Sequence, residues 1–493
     1  MSTIFGIVIY FAAVLLLGAY FSKRNKNLNE YIIGARSNNL WVTAISAQAS
    51  DMSSWLLMGL PGVLYLSGLG ATSGVWTVIG LIIGTFLNWH FVAEKLRRYS
   101  ALAGDSITLP QYFENRFGDT TRLLRIISGI IIIVFCTLYT ASGLSAGGKL
   151  FSIILPSFDY QTSLIITLFI VVTYTVVGGF KAVCWTDLFQ GMLMFFAIII
   201  IPLTVYGMID PAQAAANIEA AGAGYFNVLQ EVDGASLPIT SIINDLAWGV
   251  GYFGLPYVLI RFMAAKEPST LKMSKRIAMV WVVITLIASC CLGVVGRLYF
   301  GDIFLNNPSA AETIFIEMAL EACAPFIAGI LISAILAALM STADSQLLSA
   351  SSSFTNDIVK VLYKGDLSPK VEVIISRGCI IVVSIIAAFM ALDENQTVMS
   401  MVKYAWAGFG AAFGPLVLLS LFNRRMNYQG AIALMITGFV VTVGWNSYLA
   451  QITGIYELIP GFVLATVVGL IVSHSTKPPH DSVVALYDSV NNH

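Results

Sequence analysis

Between Leu40 and Ser67 the chain reads LWVTAISAQASDMSSWLLMGLPGVLYLS, apolar at its ends but with Ser46, Gln48, Ser50, Asp51, Ser53 and Ser54 at its middle. At about 1.5 Å per residue it can cross a hydrocarbon core about 30 Å thick, which puts Asp51 near mid-depth. A carboxylate there is costly unless it faces protein or a water-filled cavity, so it marks a functional site by default. Gly59, Pro61 and Gly62 follow, and interrupted backbone at membrane depth is tolerated only where it lines a cavity. The chemistry on offer is the holding of a cation or a polar solute by oxygens and freed backbone groups. The competing reading is a plain helix whose serines bond back to its own carbonyls and whose Asp51 pairs with a lysine.

A second set of oxygens lies in LISAILAALMSTADSQLLSASSS, residues 331–353. Helical spacing puts Ala338, Ser341, Thr342 and Ser345 on one stripe with Asp344 beside it. Hydroxyls at i+3 and i+4 approach the carbonyl of residue i, so the Ala338 carbonyl and the Ser341 and Thr342 hydroxyls converge on one point. Hard cations prefer oxygen ligands, and carbonyl dipoles can replace a hydration shell. Carbonyls freed near Ala49 and Met52 would complete such a cage from the other side. Alternatively the stripe only back-bonds or packs closely against a neighbour.

Both sets need broken or closely packed helices to bring them together, and the chain supplies a second candidate. DLAWGVGYFGLPYVL, residues 245–259, is interrupted by Gly249, Gly251, Gly254 and Pro256, and its GLPYVL echoes GLPGVL at 59–64. Five spans separate the two segments, which gives them opposite orientations. Paired interrupted helices in inverted halves point to a transporter binding site, here with GLP at the break in both.

The remaining sequence fits that class. The chain is 57% hydrophobic and 11% charged, against about 25% charged in soluble proteins, and about thirteen segments are long and apolar enough to cross a bilayer. The expected organisation is one all-α integral membrane domain, 1–493: a first peripheral helix at 4–22, halves at 40–207 and 238–422, two further helices within 428–473, and a short tail at 474–493. Of the 26 lysines and arginines, all but Lys149, Arg297 and Lys403 fall at alternate connections. These include Lys23, Arg24, Lys26 and Arg36 after the first span, a group around Arg261, and Lys364 in a later loop. The positive-inside rule then puts the N-terminus outside and the C-terminus in the cytoplasm. The acidic outer connectors, 208–237 and 299–321, are too short for soluble domains. The six cysteines lack metal-ligand spacing and read as packed thiols, and His90 reads as interfacial. The first apolar run lacks a basic lead and reads as a retained span. Without a phosphate-binding loop or a nucleophile elbow, the chain has no seat for ATP hydrolysis or covalent catalysis, so it reads as a carrier drawing on a gradient and not as an enzyme.

The runs YIIGARS (31–37), SAQASDMSSWLLMGLPG (46–62), CWTD (184–187), WGVGYFGLP (248–256), ILAALMSTADSQLL (335–348) and YAWAGFGAAFGP (404–415) resemble the sodium/solute symporter family, most closely its bacterial proline-carrying members, and the likeness runs on to IPGF at 459–462. The resemblance implies thirteen helices around a five-plus-five inverted repeat, the leucine-transporter-type fold with discontinuous helices, in the cytoplasmic membrane. It places Na+ on Ala49, Met52, Ala338, Ser341 and Thr342. It also implies a possible second cation on Asp187, Asp344 and Ser345, so the sodium stoichiometry stays open. Coupling falls to Arg36, Asp51 and Ser53, and substrate contact to Ser53, Trp55, Gly59, Tyr139, Trp248, Tyr252 and Pro256.

The implied substrate is L-proline, carried in with Na+ by a chain that works as a monomer. Tyr139, Trp248 and Tyr252 offer apolar faces to a small ring and polar edges to its ammonium, and half-helix N-termini favour its carboxylate. Another small carboxylate, such as pantothenate, is the alternative within transporters. A channel would pass current without saturable coupled uptake, and a solute sensor would carry a signalling domain that the short tail leaves no room for.

Overall fold

The computed structural model describes residues 2–22, 28–363 and 367–491. Lys23, Arg24, Lys26 and Lys364 of the charge argument lie outside the described residues. Among the described residues the chain is helical, with two isolated bridges, Asn38 with Ala265 and Gln230 with Ser236, as its only strand pairing. Among the described residues ten helices are long and apolar enough to cross a membrane, and Ile239–Gly254 with Pro256–Met263, bent by 45°, makes an eleventh. Two shorter apolar helices, Trp55–Ser67 and Tyr160–Val176, bring the tally to the expected figure of about thirteen only if each is counted as a span.

Burial separates centre from periphery. In Pro325–Leu362 and Val398–Phe422, 83% of the most apolar window is buried inside the protein, against 22% in Ser2–Phe21 and Tyr428–Thr453. The first pair forms the wrapped core, and the second pair turns its apolar side chains outward, as membrane helices can.

The first broken helix begins at an Asn39 cap, whose side chain accepts from the Val42 N–H at 2.9 Å. Leu40–Asp51 ends when Met52 leaves the helical region (φ −78°, ψ 75°). The released Asp51 carbonyl accepts from Ser53 N at 2.9 Å, Trp55 Nε1 at 3.2 Å and the Tyr139 hydroxyl at 3.2 Å, so the break is satisfied by protein. A wide turn, Trp55–Gly59, leads into Leu60–Ser67.

The interruption therefore sits at Met52–Ser54, beside the Met52 carbonyl that the sequence reading freed, and not at Gly59, Pro61 and Gly62, which that reading also took for a break. Pro61 lies in the first turn of Leu60–Ser67, where its missing N–H removes little. Gly62 serves packing instead, since a Cβ there would stand 3.1 Å from the Ala311 backbone. The GLP echo thus marks the break only in the second half, where Leu255 is extended (ψ 105°) just before Pro256. Gly251 and Gly254 let Val398–Phe422 press close, because Cβ atoms there would fall 2.0 Å from Trp406 Nε1 and 2.3 Å from the Phe409 carbonyl.

The two broken helices lie side by side in opposite directions. Ser46 meets Arg261, Asp51 meets Tyr252, and Ser73 meets Asp245, so one number rises as the other falls. Connector 208–237 packs on the end of the first broken helix: Tyr225 donates to the Leu64 carbonyl at 2.9 Å and accepts at its own carbonyl from Leu69 N at 2.8 Å. Residues Asp481–Asn491 of the tail form a helix, with Asp488 on Arg424 at 2.8 Å and Asn491 on Lys95 at 2.9 Å. Hydrogen bonding to Arg424 holds the exposed Asp488 carboxyl below its usual range.

All six cysteines are free, and no metal-binding cluster of His, Cys, Asp or Glu occurs among the described residues. His90 is exposed, stacked on Phe86 and 3.0 Å from Lys275 Nζ, as an interfacial residue would be.

Candidate ion and substrate site

The hydroxyl stripe of Pro325–Ser352 faces the end of Leu40–Asp51. Ser341 Oγ donates to the Ala49 carbonyl at 2.8 Å and to the Ala338 carbonyl at 3.1 Å, and Thr342 Oγ1 reaches the Ala49 carbonyl at 3.5 Å. All four residues are buried. Met52 stands one step beyond the helix end, and its carbonyl receives no backbone donor among the described residues. Four of the five residues expected around Na+, Ala49, Ala338, Ser341 and Thr342, thus meet at one junction, with carbonyl and hydroxyl oxygens of the kind a hard cation takes. Back-bonding also occurs, as Ser50 donates to the Ser46 carbonyl at 2.7 Å and Ser345 to the Ser341 carbonyl at 2.7 Å. Such a bond leaves the hydroxyl's lone pairs free, since a hydroxyl that donates to a carbonyl can still accept.

Asp51 is fully buried and pairs with no lysine or arginine among the described residues. Its Oδ2 accepts from the Tyr252 hydroxyl at 2.6 Å, which ties the two broken helices together at their breaks, while its Oδ1 has no partner. Around it stand Ser53, 3.5 Å from the Tyr139 hydroxyl, and Trp55 and Tyr139, both bonded to the Asp51 carbonyl. Tyr257 packs edge-on to Tyr139, and Trp406 stands edge-on to Tyr252 with ring centroids 5.1 Å apart.

The other expected substrate contacts lie further out. Trp248 joins this cluster through Trp406, which donates to its carbonyl at 2.8 Å. Gly59 lies against Met399, and Pro256 opens the second half-helix. Tyr257 and Trp406 were not singled out by the sequence reading, although Trp406 sits inside the quoted motif YAWAGFGAAFGP.

Asp187, Asp344 and Ser345 also come together, around a residue the sequence reading placed elsewhere. Arg261, assigned to a cytoplasmic connection, is 1% exposed. It donates from Nη2 to Asp187 Oδ2 at 3.0 Å and to the Ser345 hydroxyl, from Nε to Ser46 Oγ at 2.8 Å, and from Nη1 to the Tyr257 carbonyl at 2.6 Å. Ser46 and Ser50 donate in turn to Asp187 Oδ2, at 2.6 and 3.2 Å. The guanidinium is thus a built-in cation shared by both broken helices and the hydroxyl stripe. Asp187 Oδ1 and Asp344 Oδ2 are left without partners. A signal existed: Arg261 falls within the last few residues of one expected span and Asp187 within the first few of another, which puts opposite charges at one depth.

Arg36 is not brought to Asp51. Its Nε pairs with Asp105 at 3.0 Å, and its Nη atoms donate to the Met263 carbonyl at 2.5 Å, the Ser100 hydroxyl at 3.2 Å and the Ser106 carbonyl at 2.9 Å. Arg97 donates to the Ala265 carbonyl at 2.6 Å beside it. These contacts fasten the start of Leu40–Asp51 to the end of Pro256–Met263, where cations also meet the last carbonyls of that helix.

Residues 31–438 match the sequence profile of the sodium:solute symporter family. The chain belongs to that family. The symporter is 44% identical over 474 residues to the high-affinity proline transporter PutP of Bacillus subtilis (strain 168), covering 95% of this chain and 97% of that one. It is 43% identical over 491 residues to the sodium/proline symporter of Haemophilus influenzae (strain ATCC 51907 / DSM 11121 / KW20 / Rd), covering 97% and 96%. Among solved structures it resembles a Na+-coupled sialic acid symporter in its substrate-bound outward-open state, with a TM-score of 0.77 at 21% identity over 97% of this chain and 98% of that one. That likeness speaks for the fold, which is the leucine-transporter type. The symporter is a multi-pass membrane transporter and not an enzyme, and Na+ is its co-transported ion.

Proposed function

We propose that this symporter imports L-proline with Na+ by alternating access across the cytoplasmic membrane, N-terminus outside and C-terminus in the cytoplasm. The observation that carries the reading is the unpartnered Asp51 Oδ1, buried among Tyr139, Tyr252 and Trp55 at the break of the first half-helix. A buried carboxylate oxygen with no donor invites a cation or an ammonium, and the rings beside it suit a compact apolar solute. The names of the relatives, which say proline, support the solute. The orientation is supported by Lys149, Arg297 and Lys403, the three bases left for the outer side. Each is engaged there: Lys149 with Glu312 at 2.7 Å, Arg297 over the Tyr65 ring and Lys403 over the Tyr456 ring. The halves 40–207 and 238–422 move against each other around the fixed site.

In this reading Na+ is held by the carbonyls of Ala49, Met52 and Ala338 and the hydroxyls of Ser341 and Thr342. Asp51 and Ser53 couple it to the substrate, and Arg36 latches the inner ends. Ser341→Ala and Thr342→Ala are each expected to raise the Na+ concentration for half-maximal uptake about tenfold, the scale of one lost oxygen contact to an ion. Unchanged Na+ dependence in both would remove these residues from the ion site.

Sodium-driven uptake of labelled proline into proteoliposomes tests the whole. Excess unlabelled proline is expected to abolish it, and pantothenate, galactose and sialic acid are expected to leave it intact. Competition by pantothenate but not by proline would transfer the reading to that carboxylate. With the Arg261 guanidinium already on Asp187, a second ion on Asp187, Asp344 and Ser345 would share its carboxylate with a fixed positive charge. One net charge per proline is therefore expected, driven by about 2.3 kcal/mol per 100 mV; two charges per proline would instead establish that second ion.

A further inference from the structure

The connection between Tyr428–Thr453 and Leu458–Ser475 lies beyond the two inverted halves, yet it folds over the outer end of the second broken helix. Its Tyr456 is 3% exposed. The Tyr456 ring stacks on Trp248, with centroids 6.0 Å apart and planes at 27°. Its N–H donates to Asn244 Oδ1 at 3.0 Å, and its hydroxyl donates to the Lys403 carbonyl at 2.8 Å. The Lys403 ammonium stands over the same ring, 4.9 Å from its centroid.

The rest of the connection is pinned as firmly. Asn244 donates back to the Gly454 carbonyl at 2.7 Å, Trp445 Nε1 to the Ile455 carbonyl at 3.1 Å, and Asn446 to Glu457 at 3.2 Å. Gly454 takes φ +64°, a conformation that suits glycine and lets the connection turn. Below Trp248 the contacts continue inward without a gap: Trp406 on the Trp248 carbonyl, Trp406 edge-on to Tyr252, and Tyr252 on Asp51.

We infer that Tyr456 is the outer lid of the transport site, a positioning residue whose ring closes over Trp248 and holds the Trp248–Trp406–Tyr252 column against Asp51. The Tyr456 ring lies between Trp248, on the second broken helix, and the Lys403 ammonium, on Val398–Phe422, with its backbone N–H held by Asn244. It therefore bridges two elements whose separation would open the site outward. A chain element outside the repeats thereby takes part in closing the site that the repeats build. Inward release leaves the lid in place, and outward opening requires it to lift as a unit with its connection. This rests on the reading of the Asp51–Tyr252 cluster as the substrate site.

The test uses the full chain in proteoliposomes, with Tyr456→Ala, which removes the stack and the Lys403 bond, and Tyr456→Phe, which removes the bond alone. For Tyr456→Ala the KM for proline is expected to rise about threefold to tenfold, the scale of one aromatic pair, with turnover at saturating proline kept. Tyr456→Phe is expected to stay within about twofold of the unaltered protein. A second readout needs no substrate: iodide quenching of Trp248 from outside, taken as the difference between each protein and its Trp248→Phe counterpart. Trp248 is expected to be shielded with Tyr or Phe at 456 and at least about twofold more quenched with Ala. Equal quenching in all three proteins overturns the lid, as does an equal rise in KM for Phe and Ala. Absence of proline uptake by the unaltered protein would sink the substrate reading, and the quenching comparison would still decide the lid.

Discussion

Replacing Arg261 with methionine is expected to strip the protein of most of its folded yield, and a second change at Asp187 is expected to restore it. The guanidinium makes four hydrogen bonds to Asp187, Ser46, Ser345 and the Tyr257 carbonyl in a site closed to solvent. Methionine fills similar space but leaves Asp187 as a buried charge with only the Ser46 and Ser50 hydroxyls. Removing one partner of a buried pair costs about 3–5 kcal/mol, whereas replacing both is often close to neutral. That cost is a large share of the stability of a typical domain, about 5–15 kcal/mol.

The double variant Arg261→Met/Asp187→Leu should therefore recover the thermal midpoint in detergent lost by Arg261→Met alone, giving a strong coupling in the double-mutant cycle. Sodium-driven uptake is expected to remain low in the double variant, because the tie joining both broken helices to the hydroxyl stripe stays lost. Recovery of uptake together with stability would reduce Arg261 to a folding device. Additive losses of stability in the two single variants would deny the pairing itself.

The contrast between Arg261 and Asp51 explains what the sequence could and could not disclose. Asp51 stood out because a carboxylate in the middle of an apolar run must find a partner or a cavity, and the structure gives it Tyr252 and no lysine or arginine among the described residues. Ala338, Ser341 and Thr342 were legible because helical periodicity alone puts them on one stripe, and the structure sets Ala49 against that stripe at 2.8 Å. Arg261 was misplaced because an arginine a few residues from a span end satisfies the positive-inside rule as readily as a buried pairing does. Only the packing of Phe180–Tyr206 against Leu40–Asp51 brings Asp187 to it.

The first break was legible only in part. The sequence reading freed the Met52 carbonyl but took Gly59, Pro61 and Gly62 for the breaker, whereas at Met52–Ser54 the Asp51 carbonyl is held by Trp55, four residues on, and by Tyr139, far along the chain. The Tyr139 contact leaves no local mark. Arg36 likewise carried the same charge wherever it lay, and only the fold directs it to Asp105 and the Met263 carbonyl.

Asp51→Asn is expected to abolish Na+-stimulated proline uptake while leaving the folded yield close to that of the unaltered protein. Asparagine is nearly isosteric, and its carbonyl oxygen can still accept from the Tyr252 hydroxyl that now bonds Asp51 at 2.6 Å. The change therefore keeps the tie between the broken helices and removes only the charge and the second acceptor, Oδ1. A hydrogen bond to a charged group is worth about 1.5–3 kcal/mol, and loss of the carboxylate's attraction for Na+ or an ammonium adds to it, so affinity should fall by about a hundredfold or more. Tyr252→Phe provides the complementary cut. It keeps the ring against Trp406 and the Asp51 charge but removes one donor to that charge, so a smaller fall, about tenfold, is expected, and it should appear in the KM for proline more than in the Na+ requirement. Uptake kinetics at varied Na+ and varied proline separate the two. Normal Na+ stimulation in Asp51→Asn would make Asp51 a structural carboxylate held by Tyr252, and a larger loss in Tyr252→Phe than in Asp51→Asn would mean that the tie between the helices, not the free oxygen, is what transport depends on.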